Sequence, residues 1–156
     1  MSVAADLETL SSNARLAPGL RTLSTDQALT YVNGLLVHPA DSGAWWTTLA
    51  RGLNNLTDAM WEEGYLAGGP AGLHQELMDE QPRLAFQVRR LERERVDLID
   101  DLAELRLLVS TCMGRAGGVA VVLAATTDLV GRIRAHERRS CTLVHEAYQR
   151  DLGGGD

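Results

Sequence analysis

Few side chains in this chain could do chemistry inside a fold, and the most telling are a histidine, a serine and an arginine. His136 and Ser140 fall in a series stepping by three and four whose other members are Val119, Val122, Thr126, Leu129, Ile133, Leu143 and Ala147. That spacing follows one face of a helix, so the imidazole and the hydroxyl are expected to interrupt an apolar stripe. Arg95 interrupts a second stripe made of Leu84, Val88, Leu91, Leu98, Leu102, Leu105 and Val109. An imidazole on such a face can ligate a metal, move a proton or sit satisfied in the core. A guanidinium stays charged there and needs a carboxylate, several acceptors or a path to the edge. Glu62 and Glu63 close a third stripe, Trp46, Leu49, Leu53, Leu56 and Met60, and either could turn inward. Two chemistries are open: Arg95, His136 and Ser140 holding an anionic ligand, or His136, Glu62 and Glu63 ligating a metal.

The elements that must position these residues are helices. Leu, Ala, Arg and Glu dominate, aromatics are few and β-branched runs are rare. Residues 2–16 could form a short first helix, stopped by Pro18 and Gly19. Ser24 or Thr25 is a good N-cap for a helix ending at Val37, before His38 and Pro39. Ser42 caps a longer helix over 43–66, and 71–79 reads as a short helical turn. A long helix is expected over 82–112, with Pro82 tolerated in its first turn. Gly114, Gly117 and Gly118 mark a break before a last helix over 118–150, and 152–156 read as a flexible glycine tail.

The chain of 156 residues reads as one domain, with 1–41 as an irregular or extra helical part. A net charge of −6 gives no bulk support for binding nucleic acid or anionic lipid. The arginine groups around 89–93 and 132–139 alternate with Glu92, Glu94 and Glu137, which reads as solvated helix faces. There is no lysine, which excludes Schiff-base and P-loop chemistry. Cys112 and Cys141 match no zinc spacing and read as partly buried thiols of a cytoplasmic protein. No basic and apolar leader opens the chain, and its longest apolar run is too short to span a membrane. His74 and His145 are expected in water. The Trp and Leu content of 31–56, if exposed, could support a homodimer.

Several segments, in order, carry a family likeness. Trp45-Trp46-x-x-Leu49-Ala50-x-x-Leu53-x-x-Leu56, Trp61-Glu62-Glu63-Gly64-Tyr65-Leu66, Gln81-Pro82-Arg83-Leu84 and the tail from Glu146 to Asp156 resemble successive segments of hemerythrin-like (HHE cation-binding) proteins. The resemblance implies an all-α, up-and-down four-helix bundle, with His136 as an inherited ligand of a non-haem iron pair. The same resemblance exposes departures. Arg95 stands where the third helix of the family carries a histidine, and Ser140 where the last helix carries its second ligand. Leu56-Thr57-Asp58-Ala59-Met60 replaces a histidine-bearing segment of the second helix. A di-iron site needs about six facing His and carboxylate ligands, and by this count only His136 is in place. Glu137, adjacent in sequence, is expected at the surface. The expectation is a metal-free relative, with no cofactor, that binds a small anionic molecule or a protein partner. Its alternatives are an iron protein with an unusual ligand set (His136, Glu62, Glu63 and His74) and a metal-independent enzyme using Arg95 and His136.

Overall fold

The computed structural model describes residues 23–68 and 72–153, and of the side chains those up to 149. The helix expected over 2–16 and the last residues of the glycine tail lie outside the described residues. The described residues form five α-helices: α1 (Thr25–Val37), α2 (Gly43–Gly68), α3 (Leu73–Glu80), α4 (Ala85–Cys112) and α5 (Gly118–Gly153). A 3-10 turn, Pro82–Leu84, leads into α4. No strand occurs among the described residues.

Local chemistry sets the boundaries. Ser24 accepts from the Gln27 N–H while the Gln27 side chain accepts from the Ser24 N–H, a reciprocal cap that starts α1. The Ser42 hydroxyl accepts from the Trp45 N–H at 3.2 Å and starts α2. Gly114 and Gly117 adopt φ of 73° and 74°, so the loop between α4 and α5 turns through the left-handed region that glycine tolerates. It is the plain interhelical loop the glycines suggest.

The four long helices pack in a ring, α1 on α2, α2 on α4, α4 on α5 and α5 on α1. Pairings run antiparallel around it. Arg132 meets Asp101 and His136 meets Glu94 across α5 and α4, and Gly64 meets Arg95 across α2 and α4. Residues 25–37, expected as part of an irregular or extra segment, are thus a packed member of the ring. The apolar interior divides in two. The larger cluster joins α1, α2, α4 and α5 through residues such as Val32, Leu49, Leu56, Leu102 and Ile133. The smaller one joins Leu77 of α3, Leu84 of the 3-10 turn, Val88 and Leu91 of α4, and Leu143 and Ala147 of α5. Each fully buried leucine contributes roughly 1.5–3 kcal/mol.

The Trp and Leu residues of 31–56 are buried, apart from the half-buried Leu35. The exposed Trp and Leu surface that could have supported a homodimer is therefore not found in 31–56. Trp45 and Trp46 stack edge to face and donate their indole N–H groups to Leu35 O and Asp41 Oδ1. No described helix is long and apolar enough to cross a membrane.

Candidate functional site

Between the two apolar clusters lies a layer of polar groups drawn from all four long helices. Thr25 starts α1, Glu63 and Gly64 lie in the last turns of α2, Glu94 and Arg95 in α4, and His136, Glu137 and Ser140 in α5. The layer exists because the stripes are interrupted at matching heights. Arg95 sits between Leu91 and Leu98, and His136 between Ile133 and Leu143.

His136 is completely buried. Its Nδ1 lies 2.8 Å from Glu94 Oε1, and Arg139 binds the same carboxylate from the solvent side. Burial pushes the Glu94 carboxyl up, but the hydrogen bonds from Arg139 and His136 outweigh it and hold the group below its ordinary range. An ionised carboxylate only accepts, so Nδ1 carries the proton in this bond. Burial pushes the imidazole down, the Glu94 bond pushes it up, and the charges of Arg95 and Arg139 push it down again. The net direction is downward, so His136 is neutral and Nε2 keeps a free lone pair. Nε2 is buried and has no hydrogen-bond partner, and the same holds for Ser140 Oγ one turn on.

Arg95 is buried at 9% relative exposure. Its stem crosses α2 at Gly64, where a Cβ would stand 2.8 Å from Arg95 Cδ and 3.3 Å from Nη1. Glycine at 64 is therefore what lets the arginine lie down between α2 and α4. Among the described residues no hydrogen bond or ion pair holds the guanidinium. It borders an open groove of about 320 Å³ between α2 and α4, with Met60, Trp61, Tyr65, Val96 and Ile99 around it.

The two glutamates expected to be able to turn inward from the end of α2 do not meet Arg95. Glu62 is exposed. Glu63 spends both oxygens on α1, accepting from the Thr25 N–H at 3.0 Å and from the Thr25 hydroxyl at 2.7 Å. A carboxylate on a helix N-terminus is favourable through the helix dipole and the free N–H groups. Glu137, expected at the surface, is half-buried and faces the layer. Burial and the nearby charge of Glu63 raise its carboxyl, Arg95 lowers it, and Asp26 raises it. The reason for the correction is the wide polar layer: with α1 beginning at Thr25, the turn of α5 beside it faces Asp26 and Glu63 rather than water.

Two further expectations are corrected. His74, expected in water, is buried, and its Nδ1 lies 3.0 Å from Glu92 Oε1, tying α3 to α4. Cys141 is exposed rather than partly buried, while Cys112 is half-buried as expected. Sequence reasoning also missed Glu94, the one contact that orients His136. Its signal was available: Glu94 precedes Arg95, and a carboxylate is the commonest way to orient a buried imidazole.

Iron would need donors converging on His136 Nε2. Among the described residues no group of three His, Cys, Asp or Glu side chains could hold a metal ion. Glu62 faces away, Glu63 is taken by Thr25, His74 is taken by Glu92, and a fixed cation stands near the one imidazole. This donor set does not fit a di-iron centre. No protein-family model, curated protein or solved structure matches the chain. The residues themselves must carry the functional argument.

Proposed function

We propose that this chain is a hemerythrin-like bundle whose metal site has been replaced by an arginine, and that it binds a small anionic molecule without iron. The observation that carries this reading is Arg95: its side chain is largely buried at the wall of the α2–α4 groove, and among the described residues no carboxylate contacts its guanidinium, although three glutamates share its layer. Placing an ion in a protein interior costs several kcal/mol even after relaxation. A ligand carboxylate or phosphate entering between α2 and α4 supplies the missing partner. The planar guanidinium offers two parallel N–H donors to such a group. In the same layer, His136 Nε2, close enough to feel the Arg95 charge, and Ser140 Oγ have no hydrogen-bond partner among the described residues. Orientation of the imidazole by Glu94 fixes which nitrogen faces the ligand.

Calorimetric titration of the purified protein with acetate and inorganic phosphate tests the reading. Saturable binding that is lost in Arg95→Gln supports it. Near-stoichiometric iron in protein from iron-supplemented cells, with an oxo-bridge absorption band, overturns it in favour of the iron-protein alternative. Conversion of a bound anion that stops in His136→Gln, with binding retained, would assign the metal-independent enzyme instead. Binding to a partner protein rather than a small molecule would show as capture that survives Arg95→Gln.

A further inference from the structure

The groove outside Arg95 has a chemistry of its own. Trp61 and Tyr65, one turn apart on α2, project from the surface with 60% and 80% of their area exposed, and Val96 of α4 is 54% exposed. Met60 and Ile99 form the buried floor, and Gly64 leaves the wall low at the point where Arg95 crosses. Exposed aromatic rings set over an apolar floor are costly surface unless something flat covers them. The charge in the groove is uneven. Arg95 is the cation and has no hydrogen-bond or ion-pair partner among the described residues, while Glu92, also on the lining, is held by His74. A volume of about 320 Å³ falls at the small end of ligand sites.

We infer that the ligand class is an aromatic monocarboxylate, its carboxylate on Arg95 and its ring lying along α2 against Trp61 and Tyr65. The inference rests on the anion-binding reading above and adds what the rest of the ligand is. The carboxylate end is fixed by charge: one unpaired guanidinium fits one carboxylate. The ring is fixed by the walls, which offer π-faces and few polar atoms. Among the described residues Arg95 is the single cation on the lining, so a second carboxylate on the ring would find no partner there, and a dicarboxylate is disfavoured. A free phosphate would leave the aromatic rings uncovered.

The test titrates the full chain with 2-naphthoate, benzoate, acetate, 2-naphthamide and terephthalate by calorimetry. Naphthoate is expected to bind at least tenfold more tightly than acetate. The neutral amide and the dicarboxylate are each expected to bind at least tenfold more weakly than naphthoate. Trp61→Ala, a change at an exposed side chain that leaves the core intact, is expected to weaken naphthoate about fivefold while leaving acetate unchanged. Gly64→Ala, which drives a methyl group into the path of Arg95, is expected to weaken every carboxylate. Equal affinity for acetate and naphthoate, or no response of naphthoate to Trp61→Ala, overturns the aromatic class and leaves the anion site standing. Absence of binding by every carboxylate overturns both. A circular-dichroism melt on each variant separates lost binding from lost folding.

Discussion

Replacing Arg95 by methionine should make the protein more stable while abolishing anion binding. Arg95 is 9% exposed and has no ion-pair partner among the described residues. Methionine follows the same unbranched stem past Gly64 and leaves an apolar end between Leu91 and Leu98. The gain is relief from keeping an ion out of water, which is worth several kcal/mol in an interior. The loss is the through-space attraction to Glu137. For unlike charges beyond contact range, at an effective dielectric of about 20, such an attraction is on the order of 2 kcal/mol. The balance is a stabilisation of about 1–2 kcal/mol, at the low end of the roughly 1–4 kcal/mol seen when buried ion pairs give way to apolar side chains of similar volume. For a chain of this size that raises Tm by roughly 2–8 °C. Urea unfolding followed by circular dichroism measures it, with an unchanged m-value as the check that the same surface is exposed. A loss of about 1 kcal/mol or more would refute the reasoning, because it would mean that the guanidinium is already well satisfied by this chain. It would then be a structural ion and not a docking point.

Glu137→Gln should stabilise the fold at neutral pH, because burial and Glu63 raise its carboxyl above the ordinary value and make ionisation unfavourable in the folded state. The advantage should fade as pH falls below the ordinary carboxylate range, where both variants are neutral, and paired melts at pH 7 and pH 4 would show it. His136 has the opposite sense. Its folded value is lowered, so the unfolded chain takes up a proton first as pH drops through about 6.5, and stability should fall by up to about 1.4 kcal/mol per pH unit below that point. His136→Gln should flatten this slope in denaturant titrations from pH 7.5 to 5.5. Ser140→Ala removes a hydroxyl that has no partner. It should leave stability within about 0.5 kcal/mol while weakening anion binding, so equal losses in both assays would count against a ligand role.

The sequence pattern makes the scaffold readable to within a residue or two at most helix ends. Helices expected over 25–37, 43–66 and 118–150 appear as Thr25–Val37, Gly43–Gly68 and Gly118–Gly153. Every member of the Leu84 to Val109 stripe is buried, the arginine included. Periodicity captures this because it reports burial directly. What it could not give is pairing. Glu94 lies one residue off the stripe inside a run of charges, and only the register between α4 and α5 brings it to His136. Glu63 was visible as a carboxylate free to turn inward, yet its partner is the start of α1, nearly forty positions earlier. His74 reads as exposed from its short, polar surroundings. Its burial comes from α3 folding back over the end of α4, a tertiary event that leaves no local trace. Arg95 was legible without any pairing, as the one charged member of the Leu84 to Val109 stripe.

The most direct measurement is a crystal structure of protein produced in iron-supplemented cells and soaked with 2-naphthoate. The account predicts a carboxylate bound to the Arg95 guanidinium between α2 and α4, with His136 Nε2 free of metal and Nδ1 on Glu94. A cation on His136 Nε2, gathered with rearranged carboxylates while Arg95 swings into solvent, would contradict it.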